Sequence, residues 1–174
     1  MRDPGRSRLW EAVIDFSDFY LDLHPRLVST LTAVSGDADL AADAADEACA
    51  KALQRWRRVA DMANPQGWVY RVALNEVRRK AKRRDMERAI LRRQVVPREI
   101  PGPTGELWQL VAALPVRQRE AIVLRHLADL TEPEIAEAMR VKRGTVSSTL
   151  RAAHERLRGD LEADHTVTLE GNRT

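Results

Sequence analysis

The sequence predicts an all-α fold, built as two small helical domains joined by a flexible linker. Three observations lead there. No run alternates apolar residues with polar ones in the β-branched or aromatic pattern of a strand. Apolar residues recur instead at spacings of three and four. One stretch, QVVPREIPGPTG at residues 94–105, holds three prolines and two glycines without periodicity. It reads as a linker and a domain boundary. A chain of 174 residues is compatible with one domain or two.

In chain order, residues 1–7 read as a frayed arm. Residues 8–34 carry a helical pattern, with Trp10, Ile14, Phe16, Phe19, Tyr20, Leu23, Leu27, Val28 and Leu31 as its apolar positions. Pro25 is expected to kink or break this helix near His24, because proline lacks a donor and crowds the preceding turn. Ser35-Gly36-Asp37 closes it and caps the next helix.

The second helix spans about residues 37–58, with an Ala-rich apolar face that includes the single cysteine, Cys49. Acids crowd its first half and bases its end. Matching to the helix dipole accounts for Asp37 and Asp39. It accounts poorly for Asp43, Asp46 and Glu47, which lie beyond the first turn, and an acidic outer face for a basic partner is the other reading. Asn64-Pro65 then caps a third helix running to about Arg93. Val69, Val72, Ala73 and Val77 face inward, while Arg71, Asn75, Arg78, Arg79 and Lys82 line another face. Six of the seven residues from Arg78 to Arg84 are basic, and Arg88, Arg92 and Arg93 follow. Phosphate contact is the simplest use of such a run. Trp68 has two readings, as a core residue or as a stacking platform for single-stranded nucleic acid.

After the linker, a helix restarts at Glu106, Pro115 breaks it, and another covers residues 116–130. Thr131 with Glu134 forms a capping box, and Pro133 fits the first turn. Ile135, Ala136 and Met139 make one apolar face. Residues 140–142 turn the chain, with Val141 as an apolar plug. In the last helix, residues 143–158, Val146, Leu150, Ala153 and Leu157 form a buried stripe. Arg143, Ser147, Arg151, His154 and Arg158 form a polar stripe opposite. This reads as a helix-turn-helix whose second helix enters a major groove, although a plain helical hairpin shares much of the pattern. Residues 161–174 lose periodicity and are expected to be disordered.

Composition narrows the function. The net charge is +3 with a sequence pI near 9.4, and its uneven placement points to nucleic acid. One cysteine excludes a disulfide framework and a paired-cysteine zinc site. No Ser/His/Asp set, metal-spaced histidine cluster or phosphate-binding glycine loop stands out; His24, His126, His154 and His165 are scattered. Neither catalytic nor metal residues are assigned, and neither a cofactor nor a small-molecule substrate is expected. Without an 18-residue apolar run or a signal-peptide core, no membrane insertion and a cytoplasmic location are expected. The rivals are a stand-alone regulator with a response-regulator type of helix-turn-helix, and a nucleic-acid enzyme. The first predicts a βα receiver domain that the first half lacks, and the second lacks a site.

The motifs resemble those of the bacterial sigma-70 family, in its extracytoplasmic-function (ECF) subgroup. In the second half these are Leu114-Pro115 with Arg119-Glu120, Glu134-Ile135-Ala136 and Gly144-Thr145-Val146. In the first half they are Phe16, Phe19-Tyr20, Gly36-Asp37, Asp43 to Glu47, then Trp68-Val69, Ala73, Asn75 and the arginine run. The resemblance covers about residues 9–160. It implies a domain at residues 8–93 that binds core RNA polymerase and the −10 element, and one at 106–160 that binds the −35 element. Asp43, Asp46 and Glu47 would dock on the polymerase clamp. The loop at residues 57–64 would capture a flipped −10 base, and Trp68, Arg71, Asn75, Arg78, Arg79 and Lys82 would meet the −10 element. Arg143, Thr145, Ser147, Ser148 and Arg151 would meet the −35 element. The implied partners are the beta and beta-prime subunits of core polymerase, promoter DNA and an anti-sigma factor. Where Asp46 stands the family has Gln, and basic residues stand where this chain has Ser147, Thr149 and Ala152. Met139-Arg140 replaces a common Leu-Gly.

Overall fold

The computed structural model describes residues 4–91 and 105–171. Eight helices and no strand occur among them: α1 (Pro4–Ser35), α2 (Ala38–Gln54), α3 (Trp56–Ala60), α4 (Pro65–Leu91), α5 (Glu106–Ala113), α6 (Val116–His126), α7 (Glu132–Met139) and α8 (Arg143–Gly171). The linker reading falls on residues 94–104, which lie outside the described residues, as do Arg92 and Arg93.

The N-terminal module packs α1, α2 and α4 around a shared core. Leu23, Leu27 and Leu31 of α1 are fully buried, and so are Ala41, Ala44, Ala45, Ala48 and Ala52 of α2. A row of alanines lets two helix backbones approach closely, so this face of α2 needs few large side chains to close the core. Cys49 lies in that row, and burial first, then the nearby Asp46 charge, push its thiol up to about 11. Trp56 closes one end, edge-on to Phe16 at 5.2 Å, with its indole N–H donated to Asp15 at 3.2 Å.

Helix α1 begins at Pro4, inside the stretch expected to fray, and α6 ends at His126 rather than near residue 130. Three further boundaries differ from expectation, each for a local reason. Pro25 stands inside an unbroken α1. The carbonyl it leaves without a helical donor is that of Leu21, whose residue is 69% exposed, so water can satisfy it. The α2 helix stops at Gln54 because Arg55 leaves helical geometry at φ −122°, and the short α3 follows. The last helix continues to Gly171, through the stretch expected to be disordered from residue 161. Gly159 weakens a helix by only about 1 kcal/mol, and no proline follows to stop it.

The second module has α6, α7 and α8 around Ile122, Val123, Leu124, Ile135, Ala138, Met139, Val146, Leu150, Ala153 and Leu157. Glu134 accepts from the Thr131 N–H at 2.6 Å and from its hydroxyl at 2.7 Å, which anchors the start of α7. Arg140 ends α7 in the left-handed region, at φ 57°. A side chain there strains the backbone, and glycine would not. Arg140→Gly is therefore expected to stabilise the chain by about 0.5–1 kcal/mol, seen as a higher midpoint in thermal unfolding.

The two modules are also packed against each other, through α7 on α4 and α6 on α1. Nothing in the sequence patterns points to this.

Candidate nucleic-acid interface

Two surfaces carry the expected nucleic-acid residues. On α8 the helix is divided cleanly. Val146, Leu150, Ala153 and Leu157 are buried, while Arg143, Thr145, Ser147, Ser148, Arg151, His154 and Arg158 are exposed. The polar stripe arises because a residue three or four positions on returns to the same face of a helix. Glu132, at the start of α7, accepts the Ser147 hydroxyl at 2.6 Å and lies 3.5 Å from Arg143. The Ser147 hydrogen bond, then Arg143, hold the Glu132 carboxyl below the usual carboxylate range. The Ser148 and Thr149 hydroxyls turn back onto the Thr145 carbonyl, at 3.0 and 2.6 Å. Such bonding satisfies hydroxyls along a helix without a partner. Arg151 projects from the middle of this surface. Beside it the His126 and His154 rings meet with nitrogens 3.2 Å apart. Burial, then His154 and Arg125, lower the His126 pKa.

On α4, Arg71, Asn75, Arg78 and Lys82 succeed one another at spacings of four, three and four, so one helix face holds them. Asn64 caps this helix: its side-chain oxygen accepts the Gly67 N–H at 2.8 Å. Any side chain at position 67 would collide with the Asn64 amide, so glycine leaves room for the cap. Arg79 turns to Glu76 at 2.6 Å. Lys51 holds the same carboxylate at 2.7 Å. Burial alone would raise the Glu76 pKa, but hydrogen bonds from Lys51 and Arg79 outweigh it and hold the carboxyl down. Lys82 is exposed and Asn75 half-buried.

Trp68 is only 8% exposed and belongs to the N-terminal core, so its assignment as a stacking residue is corrected. It precedes Val69 and Tyr70, both buried, at the start of α4. The indole contributes apolar area to the core rather than a platform for a base.

The acidic trio sits where an outer face requires. Asp43 lies 3.5 Å from Lys80, Asp46 lies 2.8 Å from His24, and Glu47 lies 3.1 Å from Lys51. The three carboxylate side chains remain 65%, 67% and 46% exposed. They stand in the second and third turns of α2, beyond the reach of the helix terminus. The cap itself is Asp37, which accepts the Leu40 N–H at 2.9 Å and is also paired with Arg84.

Sequence reasoning missed three glutamates. Glu120, Glu134 and Glu137 reach across from the C-terminal module to the N-terminal one. Glu120 accepts two hydrogen bonds from Arg78, at 3.2 and 3.0 Å. Asn64 donates to Glu134 at 2.6 Å, and Arg71 to Glu137 at 2.8 Å. The one available signal was local: Glu120 and Glu134 lie in motifs, but with other roles.

Among the described residues no group of three or more metal-ligating side chains converges, and no helix is long and apolar enough to cross a membrane.

Comparison with known proteins agrees with this layout. Residues 19–86 match the family model "Sigma-70 region 2", and residues 104–157 match "Sigma-70, region 4". The RNA polymerase sigma-E factor of Streptomyces antibioticus is 28% identical over 161 residues, covering 86% of this chain and 86% of its own. That of Streptomyces coelicolor is 26% identical over 162 residues, covering 87% and 88%. In fold, the chain is similar to the sigma factor RpoE solved with the anti-sigma factor NepR from Bartonella quintana. That match has a TM-score of 0.74 at 22% identity, over 86% of this chain and 98% of that one. It is also similar to CnrH in complex with the cytosolic domain of CnrY, with a TM-score of 0.61 at 18% identity, over 93% and 99%. Two region models in the right order, a helix-turn-helix with a basic outer face and relatives matched over more than four fifths of both chains lead to one conclusion: the chain belongs to the sigma-70 family, as an ECF sigma factor that binds core RNA polymerase and directs it to promoters to start transcription.

Proposed function

We propose that the two modules, residues 8–93 and 106–160, divide promoter recognition between α4 and α8. In this reading Arg71, Asn75, Arg78, Arg79 and Lys82 meet the −10 element, and the Asn64 loop receives a flipped base. Arg143, Thr145, Ser147, Ser148 and Arg151 lie along the −35 major groove. Asp43, Asp46 and Glu47 dock on core polymerase. The chain has no catalytic step of its own and acts in the cytoplasm, where the polymerase is. An anti-sigma factor is a further partner. That last point draws support from the RpoE neighbour above, solved with the anti-sigma factor NepR.

The observation that carries the reading is the division of α8, with an apolar stripe sunk into the module and an arginine and hydroxyl stripe left outside. Arginine reads guanine by a two-pronged hydrogen bond, and hydroxyls serve either base, so this stripe has the chemistry of base-edge contact. The test is reconstitution of the chain with core polymerase and mapping of transcript start sites. The expected result is a set of starts preceded by shared −35 and −10 sequences at fixed separation. Tight binding of the free chain, as a dimer, to a symmetric operator would overturn the reading.

A further inference from the structure

Two histidines meet beside the α8 stripe, and neither is among the residues assigned above to the −35 element. His126 ends α6 and His154 stands within α8, 28 positions on. Their Nε2 atoms lie 3.2 Å apart, with the rings edge-on at 75° and their centroids 5.5 Å from each other. We propose that His126 and His154 are the protein ligands of a two-histidine site for a divalent transition-metal ion that prefers imidazole, zinc foremost. Such an ion ties the end of α6 to α8. The inference stands apart from the promoter assignments.

The pair is already at ligand spacing. Two nitrogens that each bind one tetrahedral zinc at about 2.0–2.1 Å stand roughly 3.3–3.4 Å apart. A hydrogen bond between two ring nitrogens needs one of them to accept, and only a neutral imidazole has that lone pair. Metal ligation calls for the same neutral form. Burial first, then His154 and Arg125, disfavour charge on His126 in the same sense. A modest turn of each ring, about a torsion without steep wells, aims both lone pairs at one ion.

The backbones beneath are fixed. The Leu127 and Ala128 N–H groups both donate to the Val123 carbonyl, at 2.9 and 3.2 Å, and Arg125 donates to the Leu130 carbonyl at 3.0 Å. His154 follows the fully buried Ala153. Ligands held at their spacing before the ion arrives lose little freedom when it binds. Both histidines are exposed and border a cleft of about 430 Å³, which leaves room for water in the remaining coordination positions. Arg125, Arg151 and Arg158 line that cleft against Glu132 and Glu155. The balance is positive, so simple attraction brings no cation there. Only an ion that bonds to imidazole nitrogen gains enough to stay. Magnesium and calcium, which take oxygen ligands, are excluded on that ground.

The test titrates the untagged full chain with zinc chloride by calorimetry, with magnesium chloride as the control. One saturable zinc site per chain is expected, and no magnesium binding at the same place. His126→Gln and His154→Gln are each expected to weaken zinc binding by roughly tenfold or more, since losing even a group behind a ligand costs that much. Both positions are exposed, and equal unfolding midpoints without metal check that the fold is kept. Zinc is expected to raise the midpoint of the unaltered chain and not that of the variants. The ring-nitrogen NMR signals of His126 and His154 are expected to shift together while those of His24 stay. Absence of saturable binding overturns the site. So does zinc affinity that survives both substitutions, because the ion then sits elsewhere. A zinc-dependent doubling of mass that the variants lose also overturns it, since the ion then joins two chains rather than two helices. Magnesium that competes with zinc for the pair overturns the selection by imidazole.

Discussion

Reversing Asp46 and Glu47 to lysine is expected to lower affinity for core polymerase by about 100-fold, or close to 3 kcal/mol. Both carboxylates project from the middle of α2, with 67% of the Asp46 side chain and 46% of the Glu47 side chain in water. Their partners inside the chain, His24 and Lys51, are surface pairs worth about 0.2–1 kcal/mol each, so the fold should survive with a midpoint shifted by a few degrees at most. The substitution changes what a basic partner meets, from attraction to repulsion, and leaves the alanine face beneath untouched. Association measured by surface capture of core polymerase, beside thermal unfolding of the same samples, separates the two effects. Unchanged association would leave the trio as a solvated face and remove the docking role. The steep dependence on salt expected of such an interface is a second readout.

Arg151→Ala is expected to weaken holoenzyme binding at promoters with a −35 element by about 1–3 kcal/mol, if the guanidinium reads a base edge. Arg151 is exposed on α8, between the buried Leu150 and the half-buried Ala152, so its removal leaves the module's packing intact. The pattern of the loss is as informative as its size. A loss concentrated on one base pair of the element marks direct reading, and a uniform loss over all sequences marks a phosphate contact. Ser147 and Thr149 stand where the family has bases, which leaves fewer cations to share this work and raises the expected weight of Arg151.

Much of this arrangement was legible in order along the chain. The stripe Val146, Leu150, Ala153 and Leu157 was readable because a helix repeats every 3.6 residues, and burial followed the stripe. Thr131 and Glu134 announced the start of α7 because their capping chemistry is local. The same locality explains the errors. Pro25 breaks a helix only where the freed carbonyl lacks a substitute for its donor, and exposure at Leu21 removes that condition. Trp68 offered an aromatic beside a basic strip, but whether an indole faces solvent depends on what packs over it, which its neighbours in sequence do not reveal.

The sequence by itself determined the helices, their apolar faces and the two outward stripes of polar residues, because each depends on residues within two turns of one another. Only the tertiary structure decided that Glu120, Glu134 and Glu137 close on Arg78, Asn64 and Arg71. Those pairs join positions 42, 70 and 66 residues apart. A carboxylate on a helix surface carries no local mark of its partner. Which cation it meets is set by how two finished modules come to rest against each other.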